Sequence, residues 1–228
     1  MKEFLIILFY QPFLNALVFI YNTIGFRDLG VSILLLTILV RFALYPLFQK
    51  ILRQQKVMQT MQPEIKKVQK EFANDRVKQA EALMALYAKY EISPAGPFVL
   101  LLVQIPILIG LYQVFINIFK PGEMDYLYSF VARPQMLNEI AFGLLDLKNT
   151  YMMLVLLAAL AQFWQGRQTM TAGNSQPAFL VWIGPLFTLL ILSRLPSAIA
   201  LYWIATTLFS VVQQHFITTR QKSNGKMG

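Results

Sequence analysis

Residues 37–48, TILVRFALYPLF, set a guanidinium inside an otherwise apolar run. Arginine stays protonated at any accessible pH. Near the middle of a membrane helix it costs about 2.5–3.5 kcal/mol, so it is paired, wetted or in contact with a visiting group. The five apolar segments of the chain contain neither Asp nor Glu, so no internal carboxylate neutralises Arg41. The chemistry open to it is electrostatic and hydrogen-bonding recognition of a polar or acidic group. Acid–base catalysis is not.

Thr37, Arg41 and Tyr45 recur every four residues and share one helix face. Tyr202, Thr206, Ser210 and Gln214 repeat that spacing on the last apolar segment, and Gln104 lies at a depth close to that of Arg41. Such a stripe by itself commonly serves hydrogen bonding between helices. An arginine can also snorkel to the headgroups. The stripe together with an uncompensated arginine points instead to a water-filled groove, open to the cytoplasm and closed by apolar packing outside. His215 is the only histidine and has no second metal ligand near it, and Ser193, Ser197 and Ser210 lack a histidine–carboxylate pair. There is no HExxH and no phosphate-binding glycine loop, so neither a cofactor nor nucleotide chemistry is indicated.

The elements that must position these residues are membrane helices. The 228 residues are 57% hydrophobic, include no cysteine, and carry five apolar segments, at 31–48, 98–119, 151–163, 178–192 and 197–216. The third and fourth are short against the roughly 20 residues that cross a bilayer, which suggests tilted helices or a thinned membrane. Arg41 lies seven residues from the inner end of the first. Ahead of it, Leu14, Leu17, Tyr21 and Ile24 recur at helical spacing with Asn15 and Asn22 between them, as in an amphipathic helix lying in the interface. Gln11-Pro12 makes continuity with residues 1–10 doubtful, so a sixth span is the lesser reading.

Connection 49–96 carries nine Lys and Arg and is assigned to the cytoplasm. Alternation then puts the N-terminus and loop 120–150 outside and the C-terminus inside. Thirteen basic residues fall inside against five acidic ones, while the outside balances six against six, so topology accounts for the net charge of +9 apart from Arg41 itself. The basic segment has the pattern of a helical hairpin. Met58, Met61, Ile65, Val68 and Phe72 step by three and four, as do Val77, Ala80, Met84 and Tyr87, with Asn74-Asp75 as turn and cap. The architecture expected is all-α and polytopic: an external helix (1–27), a first span (28–48), the hairpin (49–96), four further spans (97–217) and a short basic tail (218–228).

Five stretches in order resemble the YidC membrane protein insertases: TILVRFALYPL (37–47), QPEIKKVQKEF (62–72), ALMALYAKYEISPAG (82–96), LLVQIPILIGLYQVF (101–115) and LPSAIALYWIATTLFSVVQQHFI (195–217). The resemblance implies an insertase and chaperone of the bacterial plasma membrane, needing no cofactor. It makes Arg41 the groove arginine, Thr37 and Gln104 groove wall, and Tyr202 and Trp203 aromatic substrate contacts, beside Thr206 and Ser210 of the polar stripe. The hairpin, through Lys56, Met58, Met61, Lys66, Lys67 and Met84, would dock substrates or targeting partners. Nascent membrane proteins, the bilayer, the Sec translocon and a weakly bound ribosome are the partners implied, the last because the tail after Arg220 has only two lysines. The residues alone also allow a small channel or transporter, or a ribosome-docking scaffold that translocates nothing.

Overall fold

The computed structural model describes residues 6–93, 96–169 and 179–224, and over these the chain is predominantly helical. Position 178, where the fourth apolar segment starts, and Lys226 of the tail lie outside the described residues. A π-helical turn at Ile6–Tyr10 runs directly into α1 (Gln11–Thr23). The doubtful junction at Gln11-Pro12 is therefore continuous. Proline is tolerated in the first turn of an α-helix, where its missing N–H removes no bond, and the wider π turn ahead absorbs the change of register. Ile6–Thr23 is consequently long and apolar enough to cross a membrane by length and composition.

Asp28 caps α2 (Leu29–Ala43), its carboxylate accepting from the N–H of Val31 at 3.0 Å and from that of Phe142 at 2.5 Å. The same side chain thus starts a helix and holds the turn at Phe142. α2 ends at Leu44, and α3 (Tyr45–Thr60) leaves at 65° with Pro46 in its first turn. The first apolar segment is therefore bent: residues 45–48 belong to α3, and Arg41 stands in the last turn of α2, where a cation also meets the negative end of the helix dipole. Tyr45, beyond the bend, no longer continues the face of Thr37 and Arg41.

Two short helices follow, α4 (Gln62–Glu71) and α5 (Arg76–Lys89), with Asp75 accepting from the N–H groups of Val77 and Lys78 at 3.1 Å each. Met61, Ile65, Leu86 and Ile92 form a small core of their own, with Val57, Met58, Leu83, Tyr87 and Tyr90 packed on it. The periodicity expected for the second arm is rotated by about one position. Val77 and Met84 are 69% and 60% exposed, because the larger Leu83 and Leu86 win the inward face over a stripe containing Ala80. Tyr90 donates to Glu64, which also lies 3.5 Å from Lys89 Nζ. The Tyr90 hydrogen bond and then Lys89 hold the Glu64 carboxyl below its usual range, and Glu64 pushes the Tyr90 phenol up.

α6 (Gly96–Asn117) contains Pro106; α7 (Met152–Thr169), α8 (Leu180–Leu192) and α9 (Ser197–Asn224) complete the bundle. The third and fifth apolar segments extend into longer helices than their hydropathy alone marked. α7 packs against α8 and α9, and α9 against α2, with Ala158, Ala159, Ala198 and Ala200 buried. Small residues let helix backbones approach where lipid removes the hydrophobic incentive to associate. Between α6 and α7 lies an irregular segment with a 3-10 turn at Glu123–Tyr126 and paired two-residue strands, β1 (Ile140–Ala141) and β2 (Leu145–Asp146). Gly30 lets this segment sit on α2, since a Cβ there would lie 2.4 Å from that of Ala141.

Asn15 and Asn22, read from the sequence as the polar face of an interfacial helix, fasten this irregular segment to α1. Asn15 donates to the Tyr126 carbonyl at 3.0 Å and accepts from the Tyr128 N–H at 2.6 Å, while Asn22 donates to the Ala132 carbonyl at 2.7 Å. Tyr10 donates to Glu123, and the Tyr21 hydroxyl accepts from the Asn138 N–H at 3.0 Å. Segment 123–138 therefore follows α1 from one end to the other.

Candidate functional site

Arg41 is 7% exposed, enclosed where α2, α3, α6 and α9 meet. Its Nε donates to Thr206 Oγ1 of α9 at 2.6 Å, and its guanidinium carbon lies 4.5 Å from the centre of the Phe48 ring of α3. A desolvated cation–π contact of this kind stabilises by about 2 kcal/mol. Among the described residues, Arg41 Nη1 has no hydrogen-bond partner, and no ion pair reaches the guanidinium. A buried cation thus retains an unused donor.

Gln104 of α6 donates to the Tyr202 hydroxyl of α9 at 3.1 Å, and the Tyr202 ring rests 6.3 Å from that of Phe115, centre to centre. Thr37 and Ser210 turn their hydroxyls back onto their own helices, to the Ile33 carbonyl at 2.7 Å and the Thr206 carbonyl at 3.0 Å. They supply polarity without a free donor.

Of the residues singled out in the sequence, Thr37, Arg41, Gln104, Tyr202 and Thr206 line one small cavity, joined by Val40, Leu44, Phe48 and Ile107. Ser210 and Trp203 do not line it. Trp203 follows Tyr202 by one residue, which turns it about 100° round the helix. The cavity has a volume of about 10 Å³, close to that of a single water-sized probe. Phe48, beyond the bend at Leu44, lies over the arginine and bounds this small space. Sequence reasoning missed Phe48 because it is apolar and belongs to no polar stripe; Pro46, which starts the helix after the bend, was the signal available.

In the hairpin, Lys67 and Met84 are exposed, Lys56, Met58 and Lys66 half-buried, and Met61 fully enclosed. Met61 therefore shapes the hairpin core rather than its surface. The site as a whole has a fixed positive charge, a spare N–H, neutral acceptors and an aromatic cover. It is suited to pairing with a polar or acidic group, not to proton transfer.

Residues 19–224 match the model of the family described as 60Kd inner membrane protein. The chain is 31% identical over 208 residues to the membrane protein insertase YidC of Nitratidesulfovibrio vulgaris (strain DP4), covering 91% of this chain but only 38% of that protein. It is 30% identical over 210 residues to the YidC of Fusobacterium nucleatum, covering 91% of this chain and 96% of that one. Against the membrane protein insertase MisCA of Bacillus subtilis (strain 168) it is 33% identical over 198 residues, 82% of this chain and 69% of the relative. A solved structure described as an active YidC insertase with its first transmembrane domain resolved shares the fold, with a TM-score of 0.58 at 24% identity over 89% of this chain and 45% of that one. With its family model matched over nearly the whole length and its helices arranged as in a solved YidC, the chain belongs to the 60Kd inner membrane protein family, the YidC family that its motifs resemble.

Proposed function

We propose that the protein is a membrane protein insertase and chaperone of the bacterial inner membrane, acting without a chemical reaction or cofactor. The observation that carries this reading is Arg41: a buried cation with an unused donor, no acidic partner among the described residues, and a ring of neutral polar groups. In this reading α2, α6, α7, α8 and α9 are the five spans and α4 with α5 is a cytoplasmic hairpin. α1 lies across the outer end, supported by the way segment 123–138 tracks its whole length. The N-terminus is outside and the C-terminus cytoplasmic, as the charge distribution demands.

A nascent membrane protein must carry a short polar, often acidic, tail through the hydrocarbon. Arg41 pairs with that tail transiently, and the apolar segment then partitions into lipid, which drives the process. Admission requires uncovering Arg41. α3 is the lever, because it carries Phe48 over the guanidinium at one end and Val57 and Met58 into the hairpin core at the other. A client or targeting factor that tilts the hairpin through Lys67 and Met84 withdraws Phe48. The ribosome and the Sec translocon are the partners this role calls for, the first through weak contact.

The test is protease-protected insertion of a short-tailed single-span protein into liposomes containing the purified chain. Insertion above protein-free liposomes, lost with Arg41→Ala and Arg41→Glu for acidic tails, supports the proposal. Equal insertion by the parent and both variants refutes it. Selective ion flux through the same liposomes would favour a channel. Crosslinks to clients from the hairpin alone would favour a docking scaffold.

A further inference from the structure

A second cavity, larger than the one at Arg41, lies on another face of α6, between that helix and the N-terminal helical turn, with a volume of about 370 Å³. That is within the range of about 300–1,000 Å³ typical of ligand sites. Its lower wall is apolar, made by Ile6, Phe9, Pro106 and Ile109, with Gly110 at the contact point. A Cβ on Gly110 would approach Phe9 Cβ to 2.9 Å and Phe13 Cδ2 to 3.0 Å, so only glycine permits this junction. The upper rim is polar, made by Gln113, Asn117 and Glu123, with the Tyr10 phenol donating to the Glu123 carboxylate. Lys120, beside the rim, donates to Asn117 Oδ1 at 2.6 Å.

The polarity is graded along the axis of α6, from hydrocarbon depth towards the external segment. This is the gradient of one phospholipid. We propose that the crevice holds the headgroup, glycerol and upper chain of a phosphatidylethanolamine-type lipid of the outer leaflet. Glu123 keeps lone pairs beyond the one that Tyr10 engages and accepts from the primary ammonium, while the Gln113 amide oxygen, which accepts from Asn117 Nδ2 at 3.2 Å, lines the same crevice. Lys120 offers the countercharge for the phosphate. The acyl chain follows Pro106 and Ile109 and continues into the bilayer. An anionic glycerol headgroup has no ammonium to offer Glu123, so the site discriminates by charge complementarity. The inference needs the membrane placement of the chain but not the insertase activity.

The experiment is native mass spectrometry of the full chain, delipidated in detergent and titrated separately with phosphatidylethanolamine and phosphatidylglycerol of matched chains. One phosphatidylethanolamine should bind about ten-fold more tightly than phosphatidylglycerol, the worth of one charge-assisted hydrogen bond. Glu123→Gln should bring the ratio towards one, and Ile109→Trp, at a position 42% exposed and so tolerant of bulk, should remove the adduct. Excess glycerophosphoethanolamine should not displace the lipid; displacement would reassign the crevice to a free headgroup-like solute and overturn the lipid proposal. Equal binding of the two lipids by the parent, or selectivity surviving both substitutions, would also overturn it. An unchanged thermal transition shows that a variant has folded. If either fails this check, a photoreactive phosphatidylethanolamine on the parent decides, with labelling of segment 106–126 expected and labelling confined elsewhere refuting the site.

Discussion

Replacing Arg41 by methionine should strengthen the fold and weaken the function. Among the described residues the guanidinium gains one hydrogen bond, from Nε to Thr206 at 2.6 Å, and one aromatic contact, with Phe48 at 4.5 Å. A hydrogen bond to a charged group contributes about 1.5–3 kcal/mol and the cation–π contact about 2. Against them stand desolvation of a whole charge, several kcal/mol, and the unsatisfied Nη1, about 1–3 kcal/mol. The terms leave Arg41 near neutral or unfavourable for folding. Methionine fills similar volume and needs no partner, so Arg41→Met should raise unfolding free energy by about 1–3 kcal/mol. Unfolding in mixed detergent micelles reads the first quantity and protease-protected insertion of an acidic-tailed client the second. A gain in stability with a loss of insertion is the expected pair. If Arg41→Met instead destabilised the protein by more than about 2 kcal/mol, Arg41 would be a structural residue and the reasoning from its unsatisfied donor would fail.

The cover can be tested in a chain with no native cysteine. A Thr37→Cys probe, at a position 2% exposed, should react slowly with a water-soluble maleimide, and adding Phe48→Ala should speed it by about ten-fold if the ring is the closure. Asn15→Leu removes the side chain that bonds both Tyr126 and Tyr128; Gln11 still donates to the Tyr126 carbonyl at 3.1 Å but the Tyr128 N–H loses its acceptor, so the change should cost about 1–2 kcal/mol and raise amide exchange over 126–138. The Glu64–Tyr90 clamp sets a pH window for the hairpin. Because the folded Glu64 pKa is lowered, its contribution is present above the ordinary value of 4.5 and is lost as pH falls through the folded value. Because the folded Tyr90 pKa is raised, its contribution is present below 10.0 and is lost as pH rises through the folded value. Amide exchange in α4 and α5 should therefore quicken at both extremes, and Tyr90→Phe should remove much of that dependence; an unchanged profile in Tyr90→Phe would show that the clamp is not responsible.

Much of the helical layout was legible because its signals are local. Asp75 announces its cap two and three residues ahead of the N–H groups it binds. The register of α5 was less legible. Spacing by three and four fits two neighbouring stripes there, and the choice between Met84 and Leu86 is made by Ile65 on α4 and by Met61 just before it. The same limit explains Asn15 and Asn22, whose acceptors lie more than 100 residues away.

By itself the sequence determined that the chain is helical and apolar, that nine of its 20 Lys and Arg fall in one connection, and that Arg41 has no acid within the apolar segments to meet it. These follow from composition and from periods of a few residues. Only the tertiary structure decided that Thr206 is the partner of Arg41, that Phe48 covers it, and that Trp203 and Ser210 lie outside the enclosed cavity. Helical periodicity says which side chains share a face. How far each face is rotated towards its neighbours, and where a bend returns a ring onto a charge, depends on packing among segments distant in the chain.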